Sequence, residues 1–241
     1  MDQWVKDARA RGAAPTGAEV RPAATVALLR DGRGGLEVLM GKRSSKLAFH
    51  GGAWVFPGGR VDDEDRIDGE DDIAAARRAA VREAAEEAGV IVATDTLVHL
   101  ANWTTPDISP KRFATWFFVA AAGDGHEDAR ADGVESDAVR WFMPAEAFAA
   151  RAAGEIELAP PQYVTLLSLQ RFEAAGEALA TIATEAPFHF APRFKFLESA
   201  AVCIYDGDEA YDNPDRHDAP GPRHRLFMPS GADWIYEDTR T

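Results

Sequence analysis

The sequence predicts an α/β fold, a mixed β-sheet with helices on both faces. Three observations carry this. Predicted strands and helices follow one another in a mixed order along most of the chain. One Ala-rich stretch has both a start and a stop signal for a long helix. The 241 residues include 13 Phe and 6 Trp, ample apolar surface for a packed core.

Residues 4–11 predict a short helix and 12–17 a linker. Residues 24–30 and 36–41 read as two strands joined by the turn Asp31-Gly32-Arg33-Gly34-Gly35. Residues 53–56 form a short strand entering Pro57-Gly58-Gly59. Asp68-Gly69-Glu70-Asp71-Asp72 offers capping side chains and first-turn acids. The helix then runs from Ile73 to Ala88, and Gly89 stops it in the left-handed conformation. Residues 91–103 and 113–121 read as long strands, with an acidic loop over 123–133 and a strand over 139–142. Pro144 opens a helix to about residue 153, and Pro160-Pro161 another to about residue 175. Residues 188–205 alternate partly as a strand, 206–222 form an acidic loop, and 223–228 and 234–236 are two short strands.

The segment Arg82-Glu83-Ala84-Ala85-Glu86-Glu87-Ala88-Gly89-Val90 is the most informative. Its three glutamates stand at i, i+3 and i+4, within an arc of about 100° on the helix. Acids near a helix C-terminus oppose the macrodipole by roughly 0.3–1 kcal/mol each when exposed. Glu83 and Glu87 also repel each other at i, i+4. A bound divalent cation removes both penalties. The plain alternative is a solvated acidic face. On the wheel Ala74, Val81, Ala84, Ala85 and Ala88 fall away from the acids, so small side chains are expected to press the helix onto the sheet.

With Phe56-Pro57-Gly58-Gly59 upstream, this segment resembles the signature of the Nudix hydrolases, G-x5-E-x7-R-E-U-x-E-E-x-G-U. Arg82, Glu83, Glu86, Glu87, Gly89 and Val90 fit its second half, with Ala84 at an aliphatic position. Gly58-x5-Glu64 has the spacing of the first half, but seventeen residues rather than seven separate Glu64 from Arg82. Either an insert of about ten residues, near 65–74, lengthens the box, or the first glutamate is absent. The polar run over 62–72 favours the insert. Leu39-Met40-Gly41-Lys42-Arg43-Ser44, with His50 and Gly52 before Phe56-Pro57-Gly58-Gly59, is similar to the coenzyme A diphosphatase branch. Gly41 and Ala48 depart from that pattern. Thr105-Pro106 and Pro110-Lys111-Arg112-Phe113 look like the same branch.

The resemblance implies a Nudix-type α/β/α sandwich with a C-terminal extension. It divides the chain into an N-terminal segment, 1–20, a Nudix hydrolase domain, 21–185, and an extension, 186–241. The extension either closes the substrate cleft or makes a homodimer contact. The implied reaction is metal-dependent cleavage of a diphosphate, with coenzyme A or acyl-CoA as the expected substrate. ADP-ribose, a dinucleotide or a nucleotide sugar is the runner-up, and a silent nucleotide-binding module the reading of another class. Mg²⁺ or Mn²⁺ is the expected cofactor, since hard cations take carboxylate oxygens. Glu86 and Glu87 are expected metal ligands, with Glu83 either a third ligand or the base, and Gly58 a carbonyl ligand. Arg82 is expected to orient the glutamates, and Glu135 to serve as a loop ligand or base. Arg43, Lys46, Lys111 and Arg112 are expected to meet substrate phosphates. Trp54, Trp103 and Trp116 read as core, and His189, His217 and His224 have no metal spacing.

Charge and composition bound the rest. Lys and Arg number 26 against 40 Asp and Glu, a net −14, which argues against a large nucleic-acid footprint. The single Cys203 cannot form an intramolecular disulfide and reads as a small buried residue. No apolar run approaches a membrane span, and Met1-Asp2-Gln3-Trp4 does not begin a signal peptide. No membrane and a cytoplasmic location are therefore expected, and the resemblance implies a small-molecule diphosphate as partner.

Overall fold

A computed structural model describes residues 6, 9–10, 15–44, 51–123, 129–134 and 136–240. The chain divides into two compact units. The larger comprises Pro22–Asn102 and Thr115–Phe188, the smaller Met1–Arg21, Trp103–Ala114 and His189–Thr241.

The larger unit is built on a mixed sheet. β1 (Val20–Gly32) and β2 (Gly35–Arg43) pair antiparallel across the Gly-rich turn, Gly32 facing Gly35. β3 (Trp54–Val55) lies outside β2. β5 (Val98–Thr104) and β6 (Arg112–Ala121) extend the other side, giving the order β3–β2–β1–β6–β5. β4 (Gly58–Arg60) pairs with β1, and β7 (Ser136–Phe142) with β2.

The long helix α1 (Asp72–Ala88) covers Val26, Leu28, Leu39 and Phe118. Its ends follow the expected signals. Asp71 Oδ1 accepts the Ala74 N–H, and Gly89, at φ 68°, turns its N–H back to the last carbonyls. The packed stripe differs from the expected one. Ala75, Ala76, Ala79, Ala80, Ala84 and Ala88 are buried together with Glu87, while Ala85 is exposed. The acids therefore border the packed face instead of opposing it.

Three further helices complete this unit: α2 (Pro144–Ala152), α3 (Pro160–Leu169) and α4 (Ala175–Ile182). The helix expected from Pro160 to about residue 175 stops at Leu169, and a further helix, not expected from the sequence, begins at Ala175. Asp31 Oδ1 accepts the Ala175 N–H at 2.7 Å, a cap from a distant strand that no local pattern reveals. The strand expected from Ile91 begins only at Val98, because Thr94–Thr96 form a 3-10 turn in which Thr96 Oγ1 donates to the Ala93 carbonyl. Trp54 meets Phe142 edge-on, and Trp116 packs half-buried against the core.

The smaller unit takes in His189 and Phe190 of β8 (Phe188–Phe190), and there Trp103 stacks on Phe190 at 4.0 Å. β9 (Arg193–Phe196), β10 (Ala200–Ile204), β11 (His224–Pro229) and β12 (Ile235–Asp238) form an antiparallel sheet in the order β12–β11–β10–β9. The stretch expected as one strand over 188–205 is thus three. Cys203 is buried in this sheet, and burial pushes its thiol up to about 12. The Arg225 guanidinium grips buried Asp208 with two teeth. Asp208 also accepts the N–H groups of Ala210 and His224, which anchors the acidic loop. Among the described residues no helix is long and apolar enough to cross a membrane.

Candidate active site

The site forms in the larger unit, where the Phe56-Pro57-Gly58-Gly59 turn meets the last turns of α1. The Pro57 carbonyl accepts Thr25 Oγ1 at 2.7 Å and the Val26 N–H at 3.0 Å, which locks the turn to β1. Gly58 then pairs with Thr25 and Gly59 with Ala24. Close approach demands both glycines. A Cβ on Gly58 would stand 2.5 Å from the Ala24 carbonyl oxygen, and one on Gly59 2.2 Å from Glu83 Oε1. The Gly58 N–H donates to Glu87 Oε2 at 2.9 Å. That bond supports a glutamate only 5% exposed, since a desolvated carboxylate needs a charge-assisted donor.

Arg82 is the hub of the cluster. Its Nη1 donates to Glu83 Oε1 at 2.9 Å and to Glu86 Oε2 at 3.2 Å. Its Nε and Nη2 grip the two oxygens of Asp65 at 3.2 and 2.9 Å, and Nη2 also reaches the Arg60 carbonyl. These anions, led by Asp65, hold the guanidinium protonated above its already high ordinary value. Burial alone would push the Asp65 carboxyl up. Hydrogen bonds from Arg82 and from the Asp62 N–H, with the charges of Arg82 and Arg78, outweigh it and hold the group below its ordinary value.

Five of the expected residues, Gly58, Arg82, Glu83, Glu86 and Glu87, come together here. Arg43 lies on β2 opposite Ser136, its Nε buried and without a hydrogen-bond partner among the described residues. Lys111 and Arg112 belong to the smaller unit, where Arg112 Nε donates to the Thr105 carbonyl. Lys46, His50 and Glu135 lie outside the described residues. Glu64 is exposed, while its neighbour Asp65 is buried against Arg82. Asp65 was not expected at the site. Gly59-x5-Asp65 repeats the spacing of Gly58-x5-Glu64 one residue later, and only the 3-10 turn Asp63–Asp65 decides which acid turns inward.

The donor set is entirely carboxylate and backbone oxygen, the chemistry a hard divalent cation takes. Among the described residues no three acidic, His or Cys side chains converge as a ready metal cage. Glu83 and Glu86 both accept from Arg82 Nη1, and Glu87 turns to Gly58. Glu86, whose side chain is 60% exposed, has room to reorient.

The NUDIX domain family model matches residues 20–162. A NUDIX hydrolase from Alicyclobacillus acidocaldarius superposes with a TM-score of 0.62 at 25% identity, over 71% of this chain and all of that one. A C. elegans Ap4A hydrolase in a binary complex gives 0.40 at 23% identity, over 61% and 94%. The NUDIX domain of Shewanella oneidensis NrtR, complexed with ADP ribose, gives 0.45 at 15% identity, over 70% and 99%. No protein of curated function matches the chain.

Proposed function

The chain belongs to the NUDIX domain family of hydrolases, and from that premise we propose that it hydrolyses the diphosphate of coenzyme A or an acyl-CoA to 4′-phosphopantetheine and 3′,5′-ADP. The observation that carries the reading is the clustering of Glu83, Glu86 and Glu87 around Arg82 and the Gly58-Gly59 turn. Glu86 and Glu87, with Glu83 and the Gly58 carbonyl, would hold Mg²⁺ or Mn²⁺. Such a cation neutralises diphosphate oxygens and lowers the pKa of bound water. Glu83 stands either as a further ligand or as the base that takes the proton of the attacking water. Arg82 keeps Glu83 in place by a charge-assisted bond. Water adds across one P–O–P bridge, and each phosphorus leaves as a phosphate monoester. The coenzyme A choice rests on the run from Leu39 to Gly59, in which Arg43 is a candidate to meet a substrate phosphate. Lys46, Lys111 and Arg112 are further candidates for the phosphates, and Glu135 for a loop ligand or base.

A product assay with Mg²⁺ or Mn²⁺ tests this against coenzyme A, acetyl-CoA, ADP-ribose, NADH, nucleotide sugars and nucleoside triphosphates. Release of 3′,5′-ADP from coenzyme A alone is the expected result. Turnover of another diphosphate keeps the site and overturns the substrate. Binding without product at any metal concentration points to a silent nucleotide-binding module. Glu87→Gln is expected to lower kcat at least about a hundredfold with the fold intact, because it changes charge and not shape. Normal turnover by a folded Glu87→Gln protein would exclude Glu87 as a metal ligand.

A further inference from the structure

We propose that the cleft between the first half of α1 and the Thr94–Thr96 turn is a second small-molecule site, one that takes a phosphate monoester bearing a hydroxyl group. It does not rest on the reading of the glutamate cluster. The cleft holds about 280 Å³ and is lined by Ala74, Arg77, Arg78, Thr94, Asp95 and Leu97. Drug-sized ligands fill about 300–1,000 Å³, so the cleft suits one monophosphorylated metabolite and not a dinucleotide. Glu83, Glu86 and Glu87 lie about 9–15 Å further along the helix axis.

Both guanidinium groups are held from behind. Arg77 Nη1 donates to the carbonyls of Leu97 and Thr94, and the group lies over the Phe118 ring at 5.3 Å. Arg78 Nε donates to the Asp65 carbonyl at 2.7 Å, and its Nη2 lies 2.5 Å from Glu70 Oε2. Their directions are thus fixed before any ligand arrives, which lowers the ordering cost of binding. What they leave open differs. Arg78 has its carboxylate in Glu70. Arg77 has none among the described residues, although the chain carries 40 acids against 26 bases. Its Nε and Nη2 edge forms no hydrogen bond there, and two N–H groups on one edge match two oxygens of a phosphate. Asp95 narrows the class. It is exposed and forms no ion pair with either arginine. A bare anion is repelled by its carboxylate, whereas a ligand hydroxyl donates to it.

The test is a calorimetric titration of the full chain in chelator, which keeps divalent cations out of the glutamate cluster. The probes are ribose 5-phosphate, inorganic phosphate and ribose. One equivalent of ribose 5-phosphate is expected to bind, several-fold tighter than inorganic phosphate, and ribose is expected not to bind. Arg77→Met is expected to weaken ribose 5-phosphate at least about tenfold, the effect of losing charge-assisted hydrogen bonds. Arg77 also ties the 94–97 turn to α1, so a second variant separates binding from folding. Ala74→Leu fills the cleft from the helix side, leaves both arginines in place and introduces a good helix former. It is expected to fold as the parent does and to lose binding by the same factor. A folded Arg77→Met or Ala74→Leu protein with parental affinity overturns the proposal. A parent that binds no ribose 5-phosphate at millimolar concentration overturns it as well. So does binding lost in Arg43→Met but kept in Arg77→Met, which puts the phosphate elsewhere. Equal affinity of the parent for ribose 5-phosphate and inorganic phosphate overturns the ligand class, and with it the part given to Asp95.

Discussion

At the scale of single residues the site is decided by close approach. Gly59 has no side chain because Glu83 occupies that space, and Gly58 has none because the β1 backbone does. The two differ in what would yield. At Gly59 the obstacle is the far end of a side chain, so Gly59→Ala is expected to displace Glu83 without unfolding the protein. Its kcat/KM should fall by at least about tenfold, since a misplaced reacting group loses near-attack geometry. The melting temperature should drop by only a few degrees, the shift that about 1 kcal/mol produces. Full activity in Gly59→Ala would mean that the Glu83 position seen here is not the working one.

At the scale of elements, α1 and the sheet of the smaller unit use different physics. α1 is held by a stripe of alanines, which brings a backbone rich in carboxylates close to β1 and β4. The sheet β9–β12 is tied to its acidic loop by one desolvated ion pair, Asp208 with Arg225, whose side chains are 0% and 6% exposed. Removing one partner of such a pair strands the other charge, at about 3–5 kcal/mol. Asp208→Asn is therefore expected to destabilise this unit by about that amount, read as a lower urea midpoint. A parental midpoint would show that water already reaches the pair.

At the scale of the whole molecule, pH acts through groups in both units. Asp65 and Asp208 are held below their ordinary values, burial being outweighed by hydrogen bonds and nearby arginines. A depressed carboxyl adds stability above its unfolded pKa of about 4, and this is lost as pH falls through the folded value. His224 behaves the opposite way to a paired histidine. Burial lowers its pKa, and the ring sits between the Asp206 carbonyl and the Tyr236 hydroxyl, with Asp208, Asp238 and Arg240 nearby. The unfolded chain then binds a proton that the folded one refuses. Stability is full above about pH 6.5 and declines as pH falls below it, before the carboxyls contribute. Melting temperatures are expected to fall between pH 7 and 5 in the parent and to be flatter in His224→Gln. The same slope in both proteins would assign the loss to other groups.

The ends of α1 and the shared face of Glu83, Glu86 and Glu87 were legible in the sequence as local patterns: a cap, a left-handed glycine, acids at helical spacing. Gly58 and Arg82 were expected beside them only from the resemblance. The two-helix break at residues 170–174 was not legible, because its cap comes from Asp31 on a distant strand. Nor was the buried edge of the acidic face, because only the pairing of β4 with β1 puts the Gly58 N–H beside Glu87. Glu64 and Asp65 are indistinguishable by spacing and chemistry alone. One backbone turn points one of them to water and the other to Arg82. Local composition and periodicity determined which elements form and which carboxylates share a face. Which carboxylate meets which donor was decided by tertiary packing, because it depends on backbones brought to within hydrogen-bonding distance by residues far apart in the chain.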